Sequence, residues 1–304
     1  MTDDAVSLAL DAGQTGIKVR VSRAGAQSVD RVFPGVRTDL PLLPQLAGVA
    51  RESAAGSPVE VLSAGVSGLT SAEDDPAELR ALMHDLAPVR VLLAHDSVTS
   101  FLGTLGDQHG AVVASGTGVV TLAVGPAGVA RVDGWGYLMG DAGSGFWIGR
   151  EALDAVMRAH DGRGPSTSLT AVVQGRWPDL EDAYVQLQSD PARVSVVAWF
   201  AETVAAHAAT DDVAACICAA AAEELALSVT TALRRVGTTD AAPPVSAIGG
   251  VFRAPAIRGP FEDLLRAVHP GVRFEAPHGT GLDGVAALAA LAEGHPLRSL
   301  VSEA

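Results

Sequence analysis

Val6-Ser-Leu-Ala-Leu-Asp-Ala-Gly-Gln-Thr-Gly-Ile-Lys-Val-Arg-Val-Ser22 is the stretch on which the fold turns. Val6 to Asp11 is an apolar run ending in an acid, and Ile17 to Ser22 alternates apolar with basic or polar side chains. A glycine-containing turn joins the two runs, which predicts a β-hairpin. The turn carries Gly13, Gln14, Thr15 and Gly16, with Asp11 before it and Lys18 after it. Backbone N–H groups, a hydroxyl and an ammonium gathered in one turn suit phosphate oxygens. Asp11 is placed to hold Mg²⁺ through water. An ordinary hairpin turn can carry the same residues. The pattern is neither a Walker loop nor a strand–GxGxxG–helix dinucleotide fingerprint.

The same arrangement returns about 100 residues later, where two β-rich runs between Ala111 and Val124 flank Ser115-Gly-Thr-Gly118. A strand–Gly/Thr turn–strand unit used twice, each time followed by a short strand and helices, suggests two related domains. Between the hairpins, strands are expected at Val29 to Phe33, Val59 to Val66 and Val89 to Ala94, and helices at Leu40 to Ala54 and Pro76 to Leu86. This alternation predicts an α/β fold with helices covering the sheet. The strand from Val89 runs into His95-Asp96-Ser97. A carboxylate at the C-terminal tip of a buried strand is a common address for catalysis. Asp96 serves equally as the cap of a helix over 97–105, and His95 reads as structural or as part of the rim.

Downstream lies Asp133-Gly-Trp-Gly-Tyr-Leu-Met-Gly-Asp-Ala-Gly-Ser-Gly-Phe-Trp-Ile-Gly149, with six glycines and two tryptophans. Such glycines permit positive-φ turns and close approach to a ligand. Trp135 offers a flat apolar face and Asp141 hydrogen-bond acceptors, a combination suited to a polyhydroxylated ligand. A tight turn leading into a helix capped by Asp141 accounts for the same residues. The chain is then mostly helical to about Val236, and a strand from Pro243 to Ile248 runs into Gly249-Gly-Val-Phe252, whose glycines would let the backbone lie flat on a planar ligand. A last apolar helix, Leu282 to Leu291, follows a Pro-His-Gly-Thr-Gly loop.

The 304 residues and 48% hydrophobic content suit one large or two medium domains. A net charge of −14 argues against nucleic acid or an anionic membrane as partner, but not against nucleotides, which bind local backbone donors. No basic n-region marks a secretory signal. Cys216 and Cys218 fall on different faces of an expected helix, so neither a disulfide nor a zinc site is expected, and both read as small buried residues of a cytoplasmic protein. Val213 to Leu233 is apolar enough for a membrane span, yet Glu223 and Glu224 interrupt it, and a buried helix is expected.

Five motifs in this order carry a resemblance: Asp11-x-Gly-x-Thr-x-x-Lys18, Asp96 after a strand, Ser115-Gly-Thr-Gly118, Gly134-Trp-Gly-x-x-x-Gly-Asp141-x-Gly-Ser144 and Gly249-Gly-Val251. The chain resembles the N-acetylglucosamine kinase and BadF-type ATPase family, within the actin-like, hexokinase-like and heat-shock-chaperone-like ATPases, over nearly its whole length. The resemblance implies two ribonuclease-H-like domains, with the active site in a cleft between them. The expected N-terminal domain is 1–107, with a helix over about 288–304 packing back on it; 108–287 is the C-terminal domain with a helical insertion. It also implies ATP with Mg²⁺. Gly13, Gln14, Thr15 and Lys18 would form the first phosphate loop, Ser115, Gly116 and Thr117 the second, and Gly249, Gly250 and Val251 the adenosine pocket. Asp96 matches the catalytic carboxylate, Asp11 the metal site, and Ser67, Thr117, Gly118, Trp135, Asp141 and Gly145 positions that face the sugar.

The implied activity is transfer of phosphate from ATP to N-acetylglucosamine or glucosamine, giving the 6-phosphate, in a cytoplasmic enzyme of amino-sugar metabolism for which a homodimer is an open option. Two departures bear on the sugar: the loop Pro34-Gly-Val-Arg-Thr-Asp39 lacks the family's asparagine, and Ala142 stands where a glutamate is usual. An ATPase activating a partner enzyme, and a non-catalytic sensor, are the rival expectations. The first calls for cysteines holding an iron–sulfur cluster, which a neighbouring pair on one helix does not suit. Retention of Asp96 speaks against the second.

Overall fold

A computed structural model describes residues 5–13, 15–37 and 39–304. In chain order the elements are β1 (Val6–Ala12), β2 (Ile17–Arg23), β3 (Val29–Phe33), α1 (Leu42–Ala54), β4 (Val59–Val66), α2 (Pro76–Leu82), β5 (Arg90–His95) and α3 (Asp96–Leu105). There follow β6 (Gly110–Ser115), β7 (Val119–Gly125), β8 (Gly128–Val132), α4 (Gly145–His160), α5 (Leu169–Arg176), α6 (Leu180–Ser189), α7 (Arg193–His207) and α8 (Asp212–Arg235). The last are β9 (Pro244–Ile248), α9 (Pro255–Val268), β10 (Arg273–Phe274), α10 (Gly281–Ala287) and β11 (Val301–Glu303). The chain forms two compact units: the first comprises the chain up to Gln108 together with Ala276–Ala304, and the second is His109–Glu275.

In the first unit the strand order is β11-β5-β4-β1-β2-β3. β1, β2 and β3 form an antiparallel meander, while β4 and β5 continue parallel to β1. β1 and β4 are central, buried on both faces, and accordingly read as nearly unbroken apolar runs. β3 is the edge and is almost wholly exposed. The second unit has the order β10-β9-β6-β7-β8, again an antiparallel trio with two parallel strands added beside its first member. The repeat expected from the two hairpins is therefore one of topology. Helix α8 supplies much of the second core through residues such as Ala221, Leu225, Val229 and Leu233. By length and composition it could cross a membrane, but half of its most apolar window is buried within the unit.

Several boundaries differ from the sequence reading. Helix α1 begins at Leu42 rather than Leu40, because Pro41 takes the N-cap position. α2 stops at Leu82; a 3-10 turn follows, and Ala87 takes a left-handed conformation ahead of Pro88. The expected terminal helix over 288–304 is not a helix but two short 3-10 turns and β11. β11 pairs antiparallel with β5, with Arg90 and Glu303 joined at 2.7 Å, and so covers an apolar strand edge that would otherwise stand open. The chain rejoins the first unit at Ala276, ahead of the expected 288. Cys218 is buried, which pushes its thiol up to about 11, whereas Cys216 is exposed rather than buried.

Candidate functional site

In the first unit three parallel strands end side by side. Asp11 near the end of β1 lies beside Gly65 of β4, and Val66 beside His95 at the end of β5. Ser67 and Asp96, the residues just past the two strand ends, therefore share this edge with Asp11. Ser67 is tied there by its amide, which donates to the Ala12 carbonyl at 3.0 Å. The hairpin register sets Asp11 opposite Lys18 on one face of the sheet. Burial raises the Asp11 carboxyl above its ordinary range; the Lys18 ammonium opposes that shift, and the Asp96 carboxylate adds to it. Gly13 and Gly16 close the turn with a 3.1 Å amide-to-carbonyl hydrogen bond, and Thr15 and Lys18 are exposed. Gln14 lies outside the described residues.

Asp96 is not the cap of α3. The cap is His95, whose Nδ1 takes the Ser97 amide at 3.2 Å, and Asp96 is the first residue of the helix. The same Nδ1 lies 2.9 Å from Asp96 Oδ1 and 2.9 Å from Ser97 Oγ. One ring nitrogen cannot accept from the amide and donate to the carboxylate at once. With its hydrogen on Nδ1 the ring donates to the carboxylate, and with a lone pair at Nδ1 it accepts from the helix amide. Either way Asp96 is relieved of capping, and its side chain is about one-third exposed.

One contribution to this edge was missed by the sequence reading. α10 lies against α3 with glycines in contact on both sides: a side chain at Gly103 or Gly284 would overlap the partner helix's backbone. This brings Gly281 against Asp11, where a Cβ would sit 3.1 Å from Oδ2. The Gly279-Thr280-Gly281 loop was the available signal, but nothing local ties it to a residue so far upstream.

In the second unit the Ser115–Gly118 turn, the Asp133–Gly149 stretch and Gly249–Val251 converge. Ser115 is wholly buried, and its hydroxyl donates to the Gly143 carbonyl at 3.1 Å. The Ser115 hydroxyl is therefore engaged within the unit rather than offered to a ligand. Gly116 and Thr117 are exposed, and their carbonyls take the amides of Gly145 and Phe146 at 2.7 and 3.0 Å. The turn is thereby fastened to the start of α4. Gly249 has φ +103° and faces the Ser115 backbone so closely that no Cβ fits, while Gly250 has open space beside it.

Asp141 does not cap α4 either; Ser144 does, accepting from the Trp147 amide at 3.1 Å. Asp141 accepts instead from the amides of Gly136, at 3.1 Å, and Val119. It also sits against Gly118, where a Cβ would lie 2.7 Å from Oδ2. Burial raises this carboxyl, with Asp133 adding and the two amides and Arg131 opposing. Asp133, not singled out from sequence, organises the loop: Oδ1 accepts from Gly134 and Asp141 at 2.8 Å each, and Oδ2 from Ala142 at 3.0 Å. An aspartate ahead of a glycine turn was the signal. Trp135 is 64% exposed under the Arg131 guanidinium, 4.9 Å from the ring centre.

A cavity of about 630 Å³ opens beside these turns. Gly116, Thr117, Gly145, Gly250 and Val251 line it, together with a face of α7 that the sequence reading did not identify. Trp135 and Asp141 are not in its wall. Its size suits a nucleoside-sized ligand. No group of three or more His, Cys, Asp or Glu suited to a metal occurs among the described residues. Mg²⁺ needs no such group, since it is held by one or two carboxylates, waters and substrate phosphates. Asp11, a part-buried carboxylate with Asp96 adding negative charge nearby, fits that donor set.

The chain belongs to the BadF/BadG/BcrA/BcrD ATPase family, whose model matches residues 6–288. Over 72 residues it is 47% identical to an N-acetyl-D-glucosamine kinase of Dictyostelium discoideum, covering 23% of each chain. Over 118 residues it is 30% identical to an N-acetylmuramic acid/N-acetylglucosamine kinase of Clostridium acetobutylicum, covering 38% of this chain and 39% of that one. These matches thus span less than half of either relative's length. Among solved structures, a candidate N-acetylglucosamine kinase from Chromobacterium violaceum aligns with a TM-score of 0.68, covering 93% of this chain and 98% of that one. At 24% identity that likeness concerns the fold alone.

Proposed function

We propose that this member of the BadF/BadG/BcrA/BcrD ATPase family is an ATP-dependent sugar kinase. It transfers the γ-phosphoryl group to the primary hydroxyl of an amino sugar, N-acetylglucosamine or glucosamine, giving the 6-phosphate. The observation that carries this reading is the strand-tip edge of the first unit. There Asp96 is freed from capping by His95 and stands with Asp11 and Ser67 on one edge. A sensor has no use for a proton acceptor so placed. The similarity to two relatives named as N-acetylglucosamine kinases supports the sugar class.

In the reaction the C6 hydroxyl oxygen forms a bond to the γ-phosphorus as the bond to the β–γ bridging oxygen breaks, and ADP departs with that oxygen. Asp96 accepts the hydroxyl proton. In the first unit Gly13, Thr15 and Lys18 are offered to phosphate and Ser67 to the sugar; in the second, Gly116 and Thr117 are offered to phosphate and Asp141 and Trp135 to the sugar. Asp11 would hold Mg²⁺ through water, which when bound neutralises charge on the phosphoryl oxygens. The acidic chain and two unpaired cysteines suit a reducing cytoplasm.

The test couples ADP release to a readout across N-acetylglucosamine, glucosamine, N-acetylmannosamine and glucose, for the wild type and Asp96→Asn. A sugar-dependent rate that falls about 10²- to 10⁴-fold in the variant is expected. ATP consumption indifferent to every sugar would point instead to an ATPase acting on a partner enzyme.

A further inference from the structure

The cavity beside the second glycine turn is walled on one side by α7. Helices α4 and α7 touch through glycines: a side chain at Gly149 would overlap the Val197 carbonyl, and one at Gly145 would sit 2.8 Å from the Gly116 oxygen and 3.5 Å from the Ala198 oxygen. A small-x-x-x-small pair at the start of α4 therefore draws α7 in against the phosphate turn. Ser195, Ala198, Trp199 and Glu202 lie three and four residues apart, on one helical face, and all four line the cavity. Among the described lining residues Trp199 is the only aromatic and Glu202 the only acid.

Trp199 is 56% exposed, although it is seated edge-on against the buried Phe200, with ring centres 5.1 Å apart at 77°. An indole anchored at its base and left open toward a cavity whose α7 wall is otherwise built of small residues offers a stacking face. A carboxylate in the same wall is out of place for phosphate but suited to accept from neighbouring hydroxyls. We infer that Trp199 stacks on the base of the phosphoryl donor and that Glu202 accepts hydrogen bonds from its ribose hydroxyls. The inference rests on the reading that the donor is a nucleotide. It makes α7 the element that selects a nucleoside triphosphate over an inorganic polyphosphate.

Calorimetric titration of the full chain with ADP, 2′-deoxy-ADP and inorganic pyrophosphate tests this in wild type, Trp199→Phe, Trp199→Ala and Glu202→Ala. Wild type should take ADP more tightly than pyrophosphate. Trp199→Ala should lose about 10- to 100-fold in ADP affinity, the usual worth of base–aromatic stacking, with pyrophosphate binding unmoved. Trp199→Phe keeps a ring and should stay within about threefold of wild type, which separates stacking from misfolding. 2′-Deoxy-ADP should bind wild type about 10-fold more weakly than ADP, and Glu202→Ala should abolish that difference. Unchanged ADP affinity in Trp199→Ala overturns the stacking role while leaving the nucleotide reading intact. A ribose preference that survives Glu202→Ala overturns the role of the carboxylate. Wild type that binds neither ADP nor pyrophosphate brings down the nucleotide reading, and this inference with it.

Discussion

The Asp133 side chain holds its loop together, and its removal carries a large cost. Its two oxygens hold three backbone amides, those of Gly134, Asp141 and Ala142. Its own φ is +59°, a left-handed conformation that aspartate tolerates better than alanine. Asp133→Ala strands all three amides, at about 1 kcal/mol net each, and adds about 1 kcal/mol of backbone strain, roughly 4 kcal/mol together. For a unit of this size each kcal/mol moves the midpoint by about 2–4 °C, so a fall of about 8–16 °C is expected in scanning calorimetry. Asp133→Asn is the control. It keeps an oxygen for the amides of Gly134 and Asp141 and the left-handed preference, but sets an NH₂ against the Ala142 amide. Its cost should be about 1–2 kcal/mol, or roughly 2–8 °C. Equal falls for Asn and Ala, or a fall of less than about 2 °C for Ala, would refute the account of this loop as carboxylate-organised.

The neighbouring Asp141 clamps the Gly136 and Val119 amides, so Asp141→Ala should lower the melting temperature and also weaken sugar binding about 10- to 150-fold; movement of the melting temperature alone would leave it a clamp and no more. Gly249→Ala forces a Cβ onto the Ser115 backbone at φ +103° and should cost about 3 kcal/mol or more in urea unfolding, whereas Gly250→Ala, in open space, should keep the stability and weaken ADP binding by narrowing the cavity; equal stability of the two variants would contradict the close approach. Asp283 is held down to about 2 from 3.8 by Arg20, by the Thr280 amide and hydroxyl. A carboxyl lowered in the folded state stabilises above its unfolded value, and the gain is lost as pH falls from about 4 through about 2. Its side chain is 42% exposed, so screening leaves about 1 kcal/mol of the gain. Asp283→Asn should flatten the acid limb of stability by that amount, and an unchanged limb would count against the Arg20 pair as a stabilising contact.

All strands but β10 and β11, both glycine hairpins and the strand-tip aspartates were legible in the sequence because each is set by neighbours in the chain. An apolar run bounded by a glycine turn needs no distant partner to declare itself, and the β1–β2 and β6–β7 hairpins appear where their alternation put them. The roles of Asp96 and Asp141 were narrowed only by tertiary structure. Both stand one to three residues from a competent cap, and which residue takes the helix amide depends on rotamer and backbone placement, not residue type. His95 and Ser144 take it. The end of the chain was expected as helix because β11 has little apolar content of its own and becomes a strand by pairing with β5. The α7 wall was equally hidden. Ser195, Ala198, Trp199 and Glu202 carry no motif of their own, and they reach the Gly116–Thr117 turn only because Gly145 and Gly149 let two helices close to backbone contact. Local periodicity writes secondary structure into a sequence, while a wall shared by four segments spread between Gly116 and Ile257 exists only after packing has chosen which small residues meet.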